Sequence, residues 1–192
     1  MIETLESLDI ALFLFLNGLY HLSIDPLMLW ISDKYVWIPF YIFLLALVVR
    51  KHELKSLLII VPALIILITL SDQISVHVFK NGFERLRPCY NEDVQGIVHL
   101  VGNCGGQFGF ISSHATNSFA LAAFLTLVMK TRSFTYMIIA WAAIVSYSRI
   151  YLGVHYPADI IGGMVIGSVI GSVVWLATKH VNERLDYILS YE

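Results

Sequence analysis

Residues 56–80 read SLLIIVPALIILITLSDQISVHVFK. Between Ser56 and Phe79 the only formally charged side chain is Asp72. A helix rises about 1.5 Å per residue, so about 20 apolar residues cross the hydrocarbon core of a bilayer. This run exceeds that length, and Pro62 inside it is tolerated because neighbouring helices re-satisfy the backbone groups it frees. Such a run belongs to an all-α, integral membrane helical bundle.

Four further segments read the same way. The first runs from about Tyr35 to Val49 and is short unless it extends backward through Leu27 to Ile31. The others are about His114–Met129, Phe134–Ile150 and Ala158–Thr178. Gly163, Gly167 and Gly171 stripe the last of these, a pattern that lets helices approach closely. Packing within the bundle is the preferred reading of that stripe, ahead of a dimer face. At the N-terminus the apolar run Ile10–Leu16 is too short to span. Glu3, Glu6 and Asp9 replace the positive start of a secretory signal. Residues 1–34 therefore read as an interfacial or re-entrant helical segment, with a short first span as the alternative. That gives five to six transmembrane helices, a membrane domain over 35–178 and a cytoplasmic tail over 179–192.

Composition agrees. The chain has 192 residues, 58% hydrophobic and 14% charged, against about 45–50% and about 25% in soluble domains. A net charge of −2 gives no basic patch for nucleic acid. The sequence assigns no oligomeric state. Arg50, Lys51, Lys55, Lys130, Arg132, Lys179 and Arg184 fall on one side of the predicted spans. Lys34, Lys80, Arg85, Arg87 and Arg149 fall on the other. Three of the latter, Lys80, Arg87 and Arg149, belong to chemical clusters described next; without them the count is seven against two. The positive-inside rule then turns the first group to the cytoplasm. The loops 80–113 and 151–157 face outward. The outer loop carries Cys89 and Cys104, a possible disulfide in an oxidising compartment, closing about 15 residues for about 3 kcal/mol. Two free thiols are the alternative.

Three clusters at the edges of apolar segments carry chemistry. Residues 148–159 read SRIYLGVHYPAD. His155 and Asp159, four apart, share one face of a helix, where the carboxylate can hold one ring nitrogen and leave the other nucleophilic. Arg149 can grip phosphoryl oxygens through two N–H groups. Ser112, Ser113 and His114 offer a helix start whose free amides face an anion, and an imidazole suited to general acid work. Lys80, Arg87 and Pro88 supply two more cations. Taken alone, His155 would more often be a helix N-cap or a surface histidine near Pro157, and snorkelling from a helix end would explain Lys80 well and Arg87 poorly. Their coincidence reverses both readings. Arg85 is an auxiliary cation or a solvated surface residue. Asp72 is read as bonding a neighbouring helix.

Together these residues resemble the signature of the type 2 phosphatidic acid phosphatase superfamily: Lys-x6-Arg-Pro, Pro-Ser-Gly-His, Ser-Arg-x5-His-x3-Asp. Nine of its eleven positions match: Lys80, Arg87, Pro88, Ser112, His114, Ser148, Arg149, His155 and Asp159. Ile111 stands where the family has Pro, and Ser113 where it has Gly. The resemblance implies hydrolysis of a lipid phosphate with His155 as nucleophile, Asp159 as its orienter and His114 as acid and base. Lys80, Arg87, Ser112, Ser113 and Arg149 would bind phosphate, with Arg85 and Ser148 auxiliary. No metal and no cofactor is expected. The implied substrates are undecaprenyl diphosphate, phosphatidylglycerol phosphate, phosphatidic acid or lipid A phosphate. The implied setting is a bacterial cytoplasmic membrane, with the site at the outer interface facing the periplasm or exterior. Phosphotransfer to another acceptor uses the same intermediate and stays open. An ion-coupled transporter is disfavoured, because the charges sit at one edge and not at the midplane.

Overall fold

The computed structural model describes residues 2–52 and 54–189. They form seven helices: α1 (Ile2–Asn17), α2 (Asp25–Ser32), α3 (Ile38–His52), α4 (Leu57–Gln73), α5 (Ser113–Met129), α6 (Arg132–Tyr151) and α7 (Pro157–Leu189). Helix α4 continues unbroken through a π-helical stretch, Ile74–Lys80, and a last turn, Asn81–Phe83. Among the described residues there is no strand, only an isolated bridge between Leu86 and Phe108. Two helical stretches, Leu54–Phe83 and Pro157–Val181, are individually long and apolar enough to cross a bilayer.

The expected backward extension of the Tyr35–Val49 segment does not occur. The chain breaks between α2 and α3, where the Asp33 carboxylate accepts the Tyr35 N–H at 2.9 Å. That short-range bond offers the backbone an alternative to helix. Beyond Thr178, α7 runs on as helix through the segment read as a tail, to Leu189.

Helices α5 and α7 pack most extensively on one another. The glycine stripe makes this possible. A Cβ at Gly163 would stand 2.8 Å from the Ala115 Cβ, and at Gly167 or Gly171 it would overlap the carbonyl oxygens of Thr116 or Ala120. The stripe is therefore a seam inside the bundle. Around it Leu67, Ala120, Phe124, Leu125, Ile138 and Ala142 are buried, with Leu44 and Val48 of α3 closing the far side. The C-terminal ends of α3 and α5 meet: Lys51 bonds the Met129 carbonyl, and His52 lies 3.1 Å from that of Val128. The loop 84–112 and the α6–α7 turn occupy the opposite end.

Helix α1 lies along that opposite end. Asn17, buried at its C-terminus, donates to the carbonyls of Ile150 and Tyr151 at 3.1 and 2.9 Å. These are among the last carbonyls of α6, which lack partners within their own helix. Phe13 packs edge-on against Tyr156, ring centres 5.2 Å apart. One turn earlier, Asp9 accepts the Ala158 N–H at 2.8 Å, at the start of α7.

Candidate active site

Pro157 sets the position of His155. It lacks an N–H and restricts the residue before it, so α7 begins at Pro157 and Tyr156 stays outside the helix. His155 thus sits in the turn before α7, and not on a helical face with Asp159 as its spacing predicts. The pair forms nonetheless. His155 Nδ1 lies 3.2 Å from Asp159 Oδ2, which also accepts the Tyr156 N–H at 3.0 Å. Both side chains are buried. A carboxylate only accepts, so Nδ1 carries the proton and Nε2 is left with a lone pair. The turn is closed by Gly153 at φ +77°, where a Cβ would overlap the His99 carbonyl.

Gly109 lets the loop 84–112 reach this pair. A Cβ there would stand 2.9 Å from Asp159 Oδ2 and 3.2 Å from Arg87 Cγ. The Arg87 backbone and side chain are tied to the same loop. Its N–H donates to Gln107 O at 3.1 Å. Its guanidinium donates to Cys104 O at 2.5 Å and Phe108 O at 3.2 Å. Cys104 in turn lies against Cys89, Cα atoms 6.4 Å apart, a separation that suits a disulfide without backbone movement.

The remaining signature residues converge on His155 from three helices. Lys80 ends the π-helical stretch and donates to Ser113 Oγ at 2.8 Å. Arg149, in the last turn of α6, donates to Ser32 Oγ of α2. His114 Nε2 lies 3.2 Å from the Ser32 carbonyl, so that nitrogen is the donor and Nδ1 is free. Ser112 precedes α5 without capping it: among the described residues its buried hydroxyl has no hydrogen-bond partner, and neither has the Arg149 Nε. Among the described residues none of Lys80, Arg87 and Arg149 is ion-paired. Burial pushes the His155 imidazole well below the usual histidine range, and the Arg87, Arg149 and Lys80 charges push it the same way. The ring is therefore neutral at physiological pH.

Arg85 does not join this group. It donates to Asp9 Oδ2 at 2.7 Å and to Asp159 Oδ1 at 3.2 Å. Ser148 turns away, donating to the Val145 carbonyl of its own helix at 2.7 Å. Ser113 contributes its hydroxyl to Lys80 and to Ser75 Oγ, 2.8 Å away.

A family model described as the PAP2 superfamily matches residues 56–183. The chain belongs to that superfamily. Lipid A 4'-phosphatases of Bacteroides thetaiotaomicron and Porphyromonas gingivalis are each 36% identical to it. The alignments cover 97% and 95% of this chain and 84% and 78% of those proteins. A transmembrane PAP2-type phosphatidylglycerolphosphate phosphatase from Bacillus subtilis shares the fold, with a TM-score of 0.67 at 20% identity over 94% of this chain and 87% of that one. The protein is a membrane lipid phosphatase of the PAP2 superfamily.

A cavity of about 820 Å³ opens beside the PAP2 cluster, between α3, α4, α5 and α6. Ser113 and His114 stand at one end, and Leu44, Leu125 and Trp141 line the interior. The Asp72 carboxylate lines this cavity, and among the described residues it makes no hydrogen bond to a neighbouring helix, contrary to expectation. Sequence reasoning assigned no site role to Ser32, Gly109 or Asp9. Ser32 and Gly109 fall outside the signature spacing. Asp9 was legible only as a negative charge near the N-terminus.

Proposed function

We propose that this phosphatase removes a phosphate monoester from lipid A or a like phosphorylated glycolipid, through a phosphohistidine on His155. The observation that carries the chemistry is the set of three cations without carboxylate partners around a neutral imidazole, beside two buried and unsatisfied donors. A phosphoryl group supplies acceptors for all of them. The apolar cavity supports a lipid substrate, and the two lipid A 4'-phosphatases support the choice among lipids.

His155 Nε2 attacks phosphorus while the bond from phosphorus to the lipid oxygen breaks. His114, which enters the cycle protonated on Nδ1, gives that proton to the oxygen, and the lipid leaves as an alcohol. Water, deprotonated by His114, then attacks the phosphohistidine, releasing inorganic phosphate and restoring the imidazole. Lys80, Arg87 and Arg149 neutralise the equatorial oxygens, where charge is held in the transition state. Asp159 fixes the tautomer and stabilises the cationic ring. No metal takes part in this scheme.

Helices α3–α7 are assigned as five spans, with α1 lying along the interface at the catalytic mouth. The mouth faces outward from a bacterial cytoplasmic membrane, where Cys89 and Cys104 are bonded. A cysteine introduced at Gln107, with Cys89 and Cys104 replaced, should react with an impermeant thiol reagent in intact cells; one at Thr131 should react only after lysis. The reverse pattern overturns the orientation.

The substrate is tested by phosphate release from purified protein with EDTA present. Bisphosphorylated lipid A, undecaprenyl diphosphate, phosphatidic acid and phosphatidylglycerol phosphate are compared. Lipid A should be turned over fastest and lose one phosphate by mass spectrometry. Preference for another lipid overturns the substrate assignment, and a strict metal requirement overturns the mechanism. Phosphate appearing on an added acceptor lipid instead of in solution would make the enzyme a transferase.

A further inference from the structure

Helix α1 lies outside the matched family region, which starts at residue 56, yet it reaches the buried catalytic pair. Asp9 accepts two hydrogen bonds, from the Ala158 N–H at 2.8 Å and from the Arg85 guanidinium at 2.7 Å. Arg85 passes the contact on to Asp159 Oδ1 at 3.2 Å, and Asp159 Oδ2 holds His155 Nδ1 at 3.2 Å. Arg85 is further fixed over the Tyr156 ring, 4.3 Å from its centre, and the Tyr156 hydroxyl accepts from Asn91 Nδ2 at 2.9 Å. The side chains of Asp9 and Arg85 are 11% and 21% exposed, so the chain of contacts is largely screened from water.

We propose that Asp9 is a positioning residue for the nucleophile. Acting through Arg85 and the first turn of α7, it sets the orientation of Asp159 and hence of the His155 ring. The physical reason lies in charge balance. Asp159 is fully buried, and a single buried carboxylate shared between a neutral imidazole and an unopposed arginine would be drawn toward the arginine, the one cation of the two. Asp9 gives Arg85 a second, shorter carboxylate contact. Asp159 Oδ2 is then left to the imidazole. Asp9 also places a negative charge at the N-terminus of α7, where the helix dipole and a free N–H favour it. At the other end of α1, Asn17 caps α6. One helix thereby braces both sides of the turn that carries His155.

The inference rests on His155 being the nucleophile, and the test separates the two claims. Purified Asp9→Asn, Asp9→Glu and His155→Ala proteins are assayed on whichever lipid phosphate the wild type hydrolyses. Asp9→Asn keeps the side-chain shape and the oxygen that accepts from Ala158, and replaces the oxygen facing Arg85 with an N–H donor, so both the charge and the hydrogen bond to Arg85 are lost. It should lower kcat by roughly 10-fold, the order seen when a group orienting a reactive ligand is removed, with KM unchanged. The groups facing His155 are Asp159, Arg87, Lys80, Arg149 and His114, with Arg85 behind Asp159. Losing Asp9 leaves that set more positive, so the acid limb of the kcat profile should move to lower pH. Asp9→Glu should recover part of kcat. Ser7→Ala, on the same helix with a hydroxyl bonded only to Thr4 O, should match wild type. Wild-type kcat and an unmoved acid limb in Asp9→Asn overturn the proposal while leaving the nucleophile assignment intact. A raised KM at unchanged kcat also overturns it, by assigning Asp9 to substrate binding. Activity retained by His155→Ala overturns both claims.

Discussion

Arg85 and Arg87 stand two residues apart on one loop and do opposite things. Arg85 is balanced by two carboxylates, Asp9 and Asp159. Arg87 is buried and held only by carbonyl oxygens, those of Cys104 and Phe108. Lys80 and Arg149 resemble Arg87, each held by a neutral serine hydroxyl. A cation whose charge is already neutralised orients its neighbours; a buried cation held by neutral dipoles keeps most of its field for an incoming anion. Residue type did not separate the two classes, and partner chemistry does. One wall of the cleft is a closed set of ion pairs reaching His155, and the other is an open set of cations whose proposed ligand is phosphate.

Breaking the closed wall at its centre should have the largest effect. His155→Ala should reduce turnover by at least about 10³-fold, as loss of a nucleophile does, with circular dichroism and detergent-solution behaviour unchanged. More than a few per cent of wild-type rate would remove His155 from its role. On the open wall, Arg87→Lys or Arg149→Lys should cost about 10²-fold in kcat/KM, because lysine keeps the charge and loses the planar fork. Equal tolerance of lysine at both positions would mean that charge alone suffices there.

How much of this contrast was legible follows from where each wall is encoded. The open wall, and the imidazole it faces, are written in short spacings: Lys80 to Arg87, Ser112 to His114, Arg149 to His155. Each spacing sits beside an apolar run, and the structure brings those groups together. The closed wall needs Asp9, 76 residues from Arg85, and the bond between them leaves no periodicity or motif. Ser32, which holds Arg149 and stands by His114, is equally remote in sequence. The helices themselves were visible because hydrophobic length is a local property. The break at Asp33 and the continuation of α7 past Thr178 were not. The first depends on one side-chain bond, and the second on helix propensity in a polar segment.

Two smaller effects sharpen the comparison. Arg87 is anchored to the Cys104 carbonyl, so reducing the proposed Cys89–Cys104 bond should loosen it. Treatment with a thiol reductant should lower kcat/KM several-fold, roughly 3- to 10-fold on the scale of one neutral hydrogen bond weakened, with KM carrying the change. An unaffected rate in protein whose thiols titrate as free would show that the loop holds Arg87 without the bridge. The last effect is one of pH. Burial and three cations press the His155 imidazole below its ordinary 6.5. Protonation destroys the lone pair, so the rate should fall with acid only below that value, where a free imidazole would already be half-protonated. An acid limb centred above pH 6.5 would contradict the environment described for this ring.

The glycine seam has a consequence for how such an enzyme can diversify. It welds α5 to α7, and those two helices carry His114 and Asp159 at adjacent ends, with Ser112 directly before α5 and His155 two residues before α7. The apolar cavity is lined instead by α3, α4, α5 and α6, and among the described residues α7 contributes nothing to it. Under the proposed mechanism the reacting groups ride on a rigid chassis, while much of the wall of the apolar cavity belongs to separate, exchangeable panels. Replacing Tyr41, Leu45, Leu64 or Ile68 should retune which acyl chains are accepted without disturbing the spacing of the two imidazoles.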